Sequence, residues 1–146
     1  MRPHQKLLSA IDHQLATIPP RGLSGIWLND EFGRCYQRYE SLTNQMDIIA
    51  DYLAESIRVR VERAPQGQPF RICSLACGDG VMDKMVLERL LRTLPAERCE
   101  FLGIEINADL CRAEEECLAT LPVTTTIRCL DLNQMTPADA PNMDFV

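Results

Sequence analysis

The sequence has 146 residues, 46% of them hydrophobic and 25% charged, with a net charge of −6 at pH 7. That is enough chain for one domain with a hydrophobic core, and the composition is that of a globular protein rather than a disordered one. The acidic balance repels phosphate backbones, so nucleic acid is not expected as a partner, and no apolar run reaches the roughly 20 residues that span a bilayer.

The N-terminus, Met1 to Lys6, is not followed by a long apolar stretch or a small-residue cleavage site, so no signal peptide is expected. In the first third, Leu7, Leu8, Ile11, Leu15 and Ile18 recur at helical spacing, and Pro19-Pro20 and Gly22 end the pattern. A second helical segment begins near Asn29-Asp30 and carries Phe32, Tyr36 and Tyr39. A third runs from about Thr43 to Arg63, where Arg58, Arg60 and Arg63 read as a solvated helix face. Residues 1–65 are therefore expected to form a helical cap or lid, closed by the break Ala64-Pro65-Gln66-Gly67-Gln68-Pro69.

Beyond the break the pattern changes. Phe70 to Ala76 is a short apolar run of strand formers, Cys77-Gly78-Asp79-Gly80 is a turn, and Val81 to Leu94 is helical up to Pro95. Cys99 to Glu105 reads as a second strand and Asn107 to Leu121 as a second helix of this half. Val123 to Leu130 is the third strand, and Met143-Asp144-Phe145-Val146 the start of a fourth. The alternation predicts an α/β fold, a parallel Rossmann-like sheet with crossover helices, in which the first strand lies between the second and the fourth.

The seven cysteines form no Cys-x-x-Cys, and His4 and His13 lie far from them in sequence. No zinc or other metal site is expected; reduced thiols in apolar runs imply a cytoplasmic protein.

The chemistry is expected at the carboxyl ends of the strands, where ligands meet helix N-termini in such sheets. Gly78 and Gly80 allow close approach of a ligand to the backbone, although a lone Gly-x-Gly also fits a plain strand-to-helix turn. Glu105, 25 residues beyond Gly80, ends the second strand, where its carboxylate can accept two hydrogen bonds from a ribose diol. Asp131 follows the third strand on the same edge. Together the three features predict a nucleoside site.

On these residues, 70–146 resembles the opening half of the class I S-adenosylmethionine-dependent methyltransferase fold. That family carries acid-x-Gly-x-Gly-x-Gly after its first strand; here the pattern positions are Ser74, Ala76, Gly78 and Gly80, so serine replaces the acid and alanine the first glycine. The resemblance implies that Ser74, Ala76, Cys77, Gly78 and Gly80 surround the methionine part of S-adenosyl-L-methionine. It also implies that Glu105 and Ile106 hold the ribose, that Asp131 and the Leu132 backbone meet the adenine, and that Asp144 lies near the methionine end. Tyr36-x-x-Tyr39-Glu40-Ser41 resembles small-molecule methyltransferases such as the histamine type, which makes Tyr36 and Tyr39, with Trp27, Asn44 and Gln45, lid candidates; aromatics at this spacing also suit a core.

The implied function is methyl transfer to a small molecule, with no catalytic triad expected. Three alternatives stay open: a nicotinamide dinucleotide oxidoreductase, an aminopropyl transferase and a non-catalytic cofactor-binding module. In the dinucleotide fingerprint Gly-x-Gly-x-x-Gly the third glycine falls on Asp83, an acid that would repel pyrophosphate, whereas a sulfonium is cationic. The family's sheet continues with three more strands. The resemblance thus implies a fragment of a longer protein or a short relative. Such a chain would have an exposed sheet edge open to self-association, weakened cofactor binding and no methyl transfer alone.

Overall fold

The computed structural model describes residues 42–146, together with Arg34, Cys35 and Arg38. The first helical stripe, and Trp27, Tyr36 and Tyr39, lie outside the described residues. The chain divides into two compact units, residues 1–43 and 44–146. The second contains the sheet.

Helix α1 (Gln45–Arg63) opens this unit. Its buried residues Ala50, Ala54, Ile57 and Val61 recur every three or four positions and make one apolar stripe. Ala64 ends it with φ −71° and ψ 152°, the extended conformation that the following Pro65 imposes. The stripe packs on the helix Val81–Leu90, in one core with Phe70, Ile72 and Phe101. Of the arginines on its solvated face, Arg60 and Arg63 are exposed, Arg58 pairs with Glu55 and Glu62, and Arg60 lies 5.3 Å over the Phe145 ring.

Strand β1 (Phe70–Leu75), helix α2 (Val81–Leu90), strand β2 (Cys99–Glu105), helix α3 (Ala108–Leu118) and strand β3 (Thr124–Cys129) follow. The strands are parallel in the order β1-β2-β3, with Phe70 opposite Cys99 and Glu100 opposite Thr124. On the other side of β1, Ile72 bridges Phe145 in parallel, and the Cys73 N–H donates to the Phe145 carbonyl at 2.8 Å. The first strand thus lies between the second and the fourth, as the alternating pattern predicts. Both crossover helices are shorter than their apolar patterns suggest. The chain after Leu90 continues as hydrogen-bonded turns up to Pro95, and Leu118 gives way to a turn before Pro122.

Strand alternation sorts the core into two layers. Phe70, Ile72, Cys99 and Phe101 face α1, α2 and Leu118 of α3. Cys73, Leu102 and Ile104 point the other way, toward Leu130, Met135, Ala140 and Met143 of the segment after β3. Arg89 of α2 ties the helical layer together through ion pairs to Asp47 and Asp51 of α1. Among the described residues no helix is long and apolar enough to cross a membrane. Leu87, 1% exposed between α2 and the sheet, is expected to cost about 3 kcal/mol on replacement by alanine, whereas Ile48→Ala, at a position 59% exposed, should stay within about 0.5 kcal/mol. Urea unfolding of the two variants measures the difference.

Candidate functional site

The site forms where β1 and β2 end. After Leu75 the chain enters a turn whose first residue, Ala76, has φ 55°, and whose last, Gly80, has φ 77° and caps α2. The Ala76 N–H still donates to the Ile104 carbonyl at 2.8 Å, so the strand ladder reaches into the turn. Ala76 stands where the resemblance has glycine, and the left-handed conformation is kept despite its Cβ.

Glu105 closes the turn onto the neighbouring strand. Its carboxylate, in a residue only 7% exposed, accepts the Gly78 N–H at 3.1 Å through Oε2 and the Ile106 and Asn107 N–H groups at 2.9 and 3.0 Å through Oε1. The sequence-predicted Gly78, Glu105 and Ile106 therefore meet through hydrogen bonds. Asp131 follows Leu130, whose N–H donates to the Glu105 carbonyl at 2.8 Å. Oδ1 of Asp131 caps a single 3-10 turn, Leu132–Gln134, by accepting the Asn133 N–H at 2.9 Å. The side chains of Ile106 and Leu132 are both exposed on this edge.

Asp144 is not where the resemblance implies. Its carboxylate accepts the Arg71 N–H at 2.8 Å and its own N–H donates to the Arg71 carbonyl at 2.9 Å. Parallel pairing of Phe145 with Ile72 fixes it beside the start of β1, the end opposite the glycine turn.

The sequence reading missed Glu114. This residue of α3 is fully buried, and its side chain lies between the glycine turn and the sheet. A Cβ at Gly80 would come within 2.6 Å of its Cγ, and a Cβ at Gly103, in the middle of β2, within 2.5 Å of its Oε1. Both glycines thus make room for one carboxyl group. Oε2 accepts from the Cys77 thiol at 2.7 Å, and Oε1 is buried without a partner. The signal in the sequence was an acid on the buried stripe Cys111-Glu114-Leu118.

Burial dominates the electrostatics. It pushes Glu114 up to about 7, with the Cys77 hydrogen bond opposing and Asp83, Glu105 and Glu115 adding to the rise. Burial likewise raises Asp83 to about 6, against a lowering contact from Ser74 and with a raising one from Asp79. The Cys77 thiol is held protonated by burial and by its bond to Glu114. Among the described residues no lysine or arginine forms an ion pair with Asp83, Glu105 or Glu114. Donor atoms of Cys77, Asp83 and Glu114 lie within 4.8 Å of one another, a spacing that invites a metal. The 2.7 Å separation of Sγ and Oε2 is shorter than the roughly 3.5 Å that tetrahedral coordination by sulfur and oxygen would set, so the pair is a hydrogen bond.

No family model and no curated protein matches the chain. Solved structures of the plantazolicin methyltransferase BpumL do. The complex with SAH is 18% identical with a TM-score of 0.52, and the complex with a triazolic desmethylPZN analog and SAH is 16% identical with a TM-score of 0.53. A third, with a monoazolic desmethylPZN analog and SAH, is 17% identical with a TM-score of 0.51. The chain has the fold of these methyltransferases. Each match covers 80% of this chain and 41% of that one, so the chain spans less than half their length.

Two outcomes test this geometry. Folded Glu114 keeps its proton to about 7, against an ordinary 4.5, so between these values the folded state binds more protons and stability falls as pH rises. The loss is at most about 3 kcal/mol. Glu114→Gln should remove this part of the decline when unfolding is followed from about pH 5 to about pH 8. Ala76→Gly relieves a left-handed alanine and should raise the unfolding free energy by about 0.5–1 kcal/mol, read from the same denaturation curves.

Proposed function

We propose that this chain is the cofactor-binding part of an S-adenosylmethionine-dependent methyltransferase acting on a small molecule. The observation that carries the reading is the Glu105 carboxylate, fixed at the carboxyl edge by the glycine turn on one side and the start of α3 on the other, in a fold matched by SAH-bound methyltransferases.

The donor set fits such a cofactor. Acids without an ion-pair partner among the described residues surround the turn, and they favour a cationic, phosphate-free ligand over a dinucleotide, whose pyrophosphate Asp79 and Asp83 would repel. Among the described residues Oε2 of Glu105 accepts the Gly78 N–H alone, which leaves it capacity for a ribose hydroxyl. Asp131 and the Leu132 backbone would receive the adenine beside the exposed Ile106 side chain, and residues 74–80 the methionine part. When bound, the cofactor supplies a methyl group on a sulfonium that is already a good leaving system. The protein's task is then to bind, align and exclude water, with no acid–base residue required in this part. A low-molecular-weight acceptor suits an acidic chain that repels nucleic acid.

Calorimetric titration with S-adenosylhomocysteine tests the reading. Binding to the wild-type chain, weakened roughly tenfold or more in Glu105→Ala, is the expected result. Tighter binding of NAD than of S-adenosylhomocysteine, or equal affinity in Glu105→Ala, would overturn it.

A further inference from the structure

We propose that Cys111 and Cys129 are a thiol pair that closes into a reversible disulfide, tying α3 to the end of β3 across the β2–α3 turn. The inference stands apart from the cofactor reading: it needs only the two thiols and a small disulfide as oxidant.

Cys111 is the fourth residue of α3, and Cys129 is the last residue of β3. Register places Cys129 opposite Glu105, the last residue of β2. The two sulfurs settle on consecutive carbonyls of the turn that follows β2. Cys111 Sγ donates to the Glu105 carbonyl at 3.5 Å, and Cys129 Sγ to the Ile106 carbonyl at 3.4 Å. The two thiols are also within hydrogen-bond reach of each other. A disulfide needs its sulfurs about 2 Å apart, and rotation of the exposed Cys129 side chain supplies the rest of the approach. Other described cysteines are engaged elsewhere: Cys77 donates to Glu114, and Cys73 and Cys99 are buried on β1 and β2.

The pair has the asymmetry that thiol exchange uses. Cys129 is exposed and meets an oxidant from solvent, whereas Cys111 is only 6% exposed. Burial, and then Cys129 beside it, pushes the Cys111 thiol up to about 11, so it is inert toward outside reagents. In the first step the Cys129 thiolate attacks one sulfur of a small disulfide, such as oxidised glutathione, and expels the other half. In the second, Cys111 gives up its proton and its sulfur attacks Sγ of Cys129, expelling the second glutathione. The protein loses two electrons and two protons, and the small disulfide becomes two thiols. The Glu105 and Ile106 carbonyls lose their S–H donors, and one covalent bond takes over. That bond clamps the turn whose Ile106 and Asn107 N–H groups hold the Glu105 carboxylate. Reducing conditions reopen it, as with other transient disulfides.

Peptide mapping of the full, folded chain tests the assignment. After incubation with excess oxidised glutathione, tryptic cleavage at Arg98, Arg112 and Arg128 should give peptides 99–112 and 129–146 joined by one disulfide. Dithiothreitol should part them. Peptide 99–112 also carries Cys99, so fragmentation of the linked pair must place the bond at Cys111. In Cys111→Ser, Cys129 should stop as a mixed disulfide with glutathione; in Cys129→Ser, Cys111 should remain a thiol. Hydrogen exchange at Ile106, Asn107 and the first turn of α3 should slow roughly tenfold or more in the linked form. A wild-type chain in which Cys129 carries glutathione and Cys111 stays a thiol would overturn the assignment. So would a bond from Cys129 to another cysteine, unchanged exchange in the linked form, or an equal yield of the link in urea-unfolded chain. Should Cys111→Ser fail to fold by circular dichroism, the wild-type map and its exchange decide alone.

Discussion

The edge of the sheet where the site forms is organised by one carboxylate. Glu105 accepts N–H groups from the β1–α2 turn and from the β2–α3 turn, two segments that are 27 and 2 residues away in sequence at Gly78 and Asn107. Without an acceptor there, these backbone donors would face each other at the sheet edge with nothing between them. Parallel strands place consecutive strand-to-helix turns on the same edge, and a single side chain can therefore tie two of them. This tie joins the glycine turn to the start of α3.

Behind it stands a second acid of different character. Glu105 is ringed by N–H donors and sits at the mouth of the site. Glu114 is enclosed by carbon and by other acids, and one of its oxygens has no donor at all. Its burial among these neighbours raises the proton affinity of Glu114.

Much of this architecture was legible in the sequence. Cys99–Glu105 reads as a strand because Cys99, Phe101, Leu102 and Ile104 fall in one short run between Pro95 and the Asn107 cap. Glu105 stands out because an acid ends that run. The glycine turn is visible for the same reason. What escaped depends on contacts between distant elements. In the run Glu114-Glu115-Glu116 only the helical phase relative to Cys111 and Leu118 marks one acid as internal, and three adjacent glutamates read more simply as a wet surface. The place of Asp144 escaped because a short strand's type can be read locally but its register cannot; a shift of pairing along β1 moves the residue from one end of the sheet to the other. The extra turns assigned to α2 had apolar periodicity behind them, but Pro95 disfavours helix in the residue before it, and the chain unwinds from Leu91 onward.

The enclosure of Glu114 also constrains how this sequence can drift. Gly80, Gly103 and Glu114 come from three separate elements, yet the volume of one is the vacancy of the other two. A larger residue at 80 or 103 is admissible only after the side chain at 114 has shrunk, and a smaller residue at 114 leaves a hollow that only new side-chain carbon at 80 or 103 can fill. Gly80 resists the exchange more than Gly103, since its backbone is also left-handed. Among relatives of this chain, residues 103 and 114 should therefore change as a pair, and the acid should disappear wherever position 103 carries a side chain.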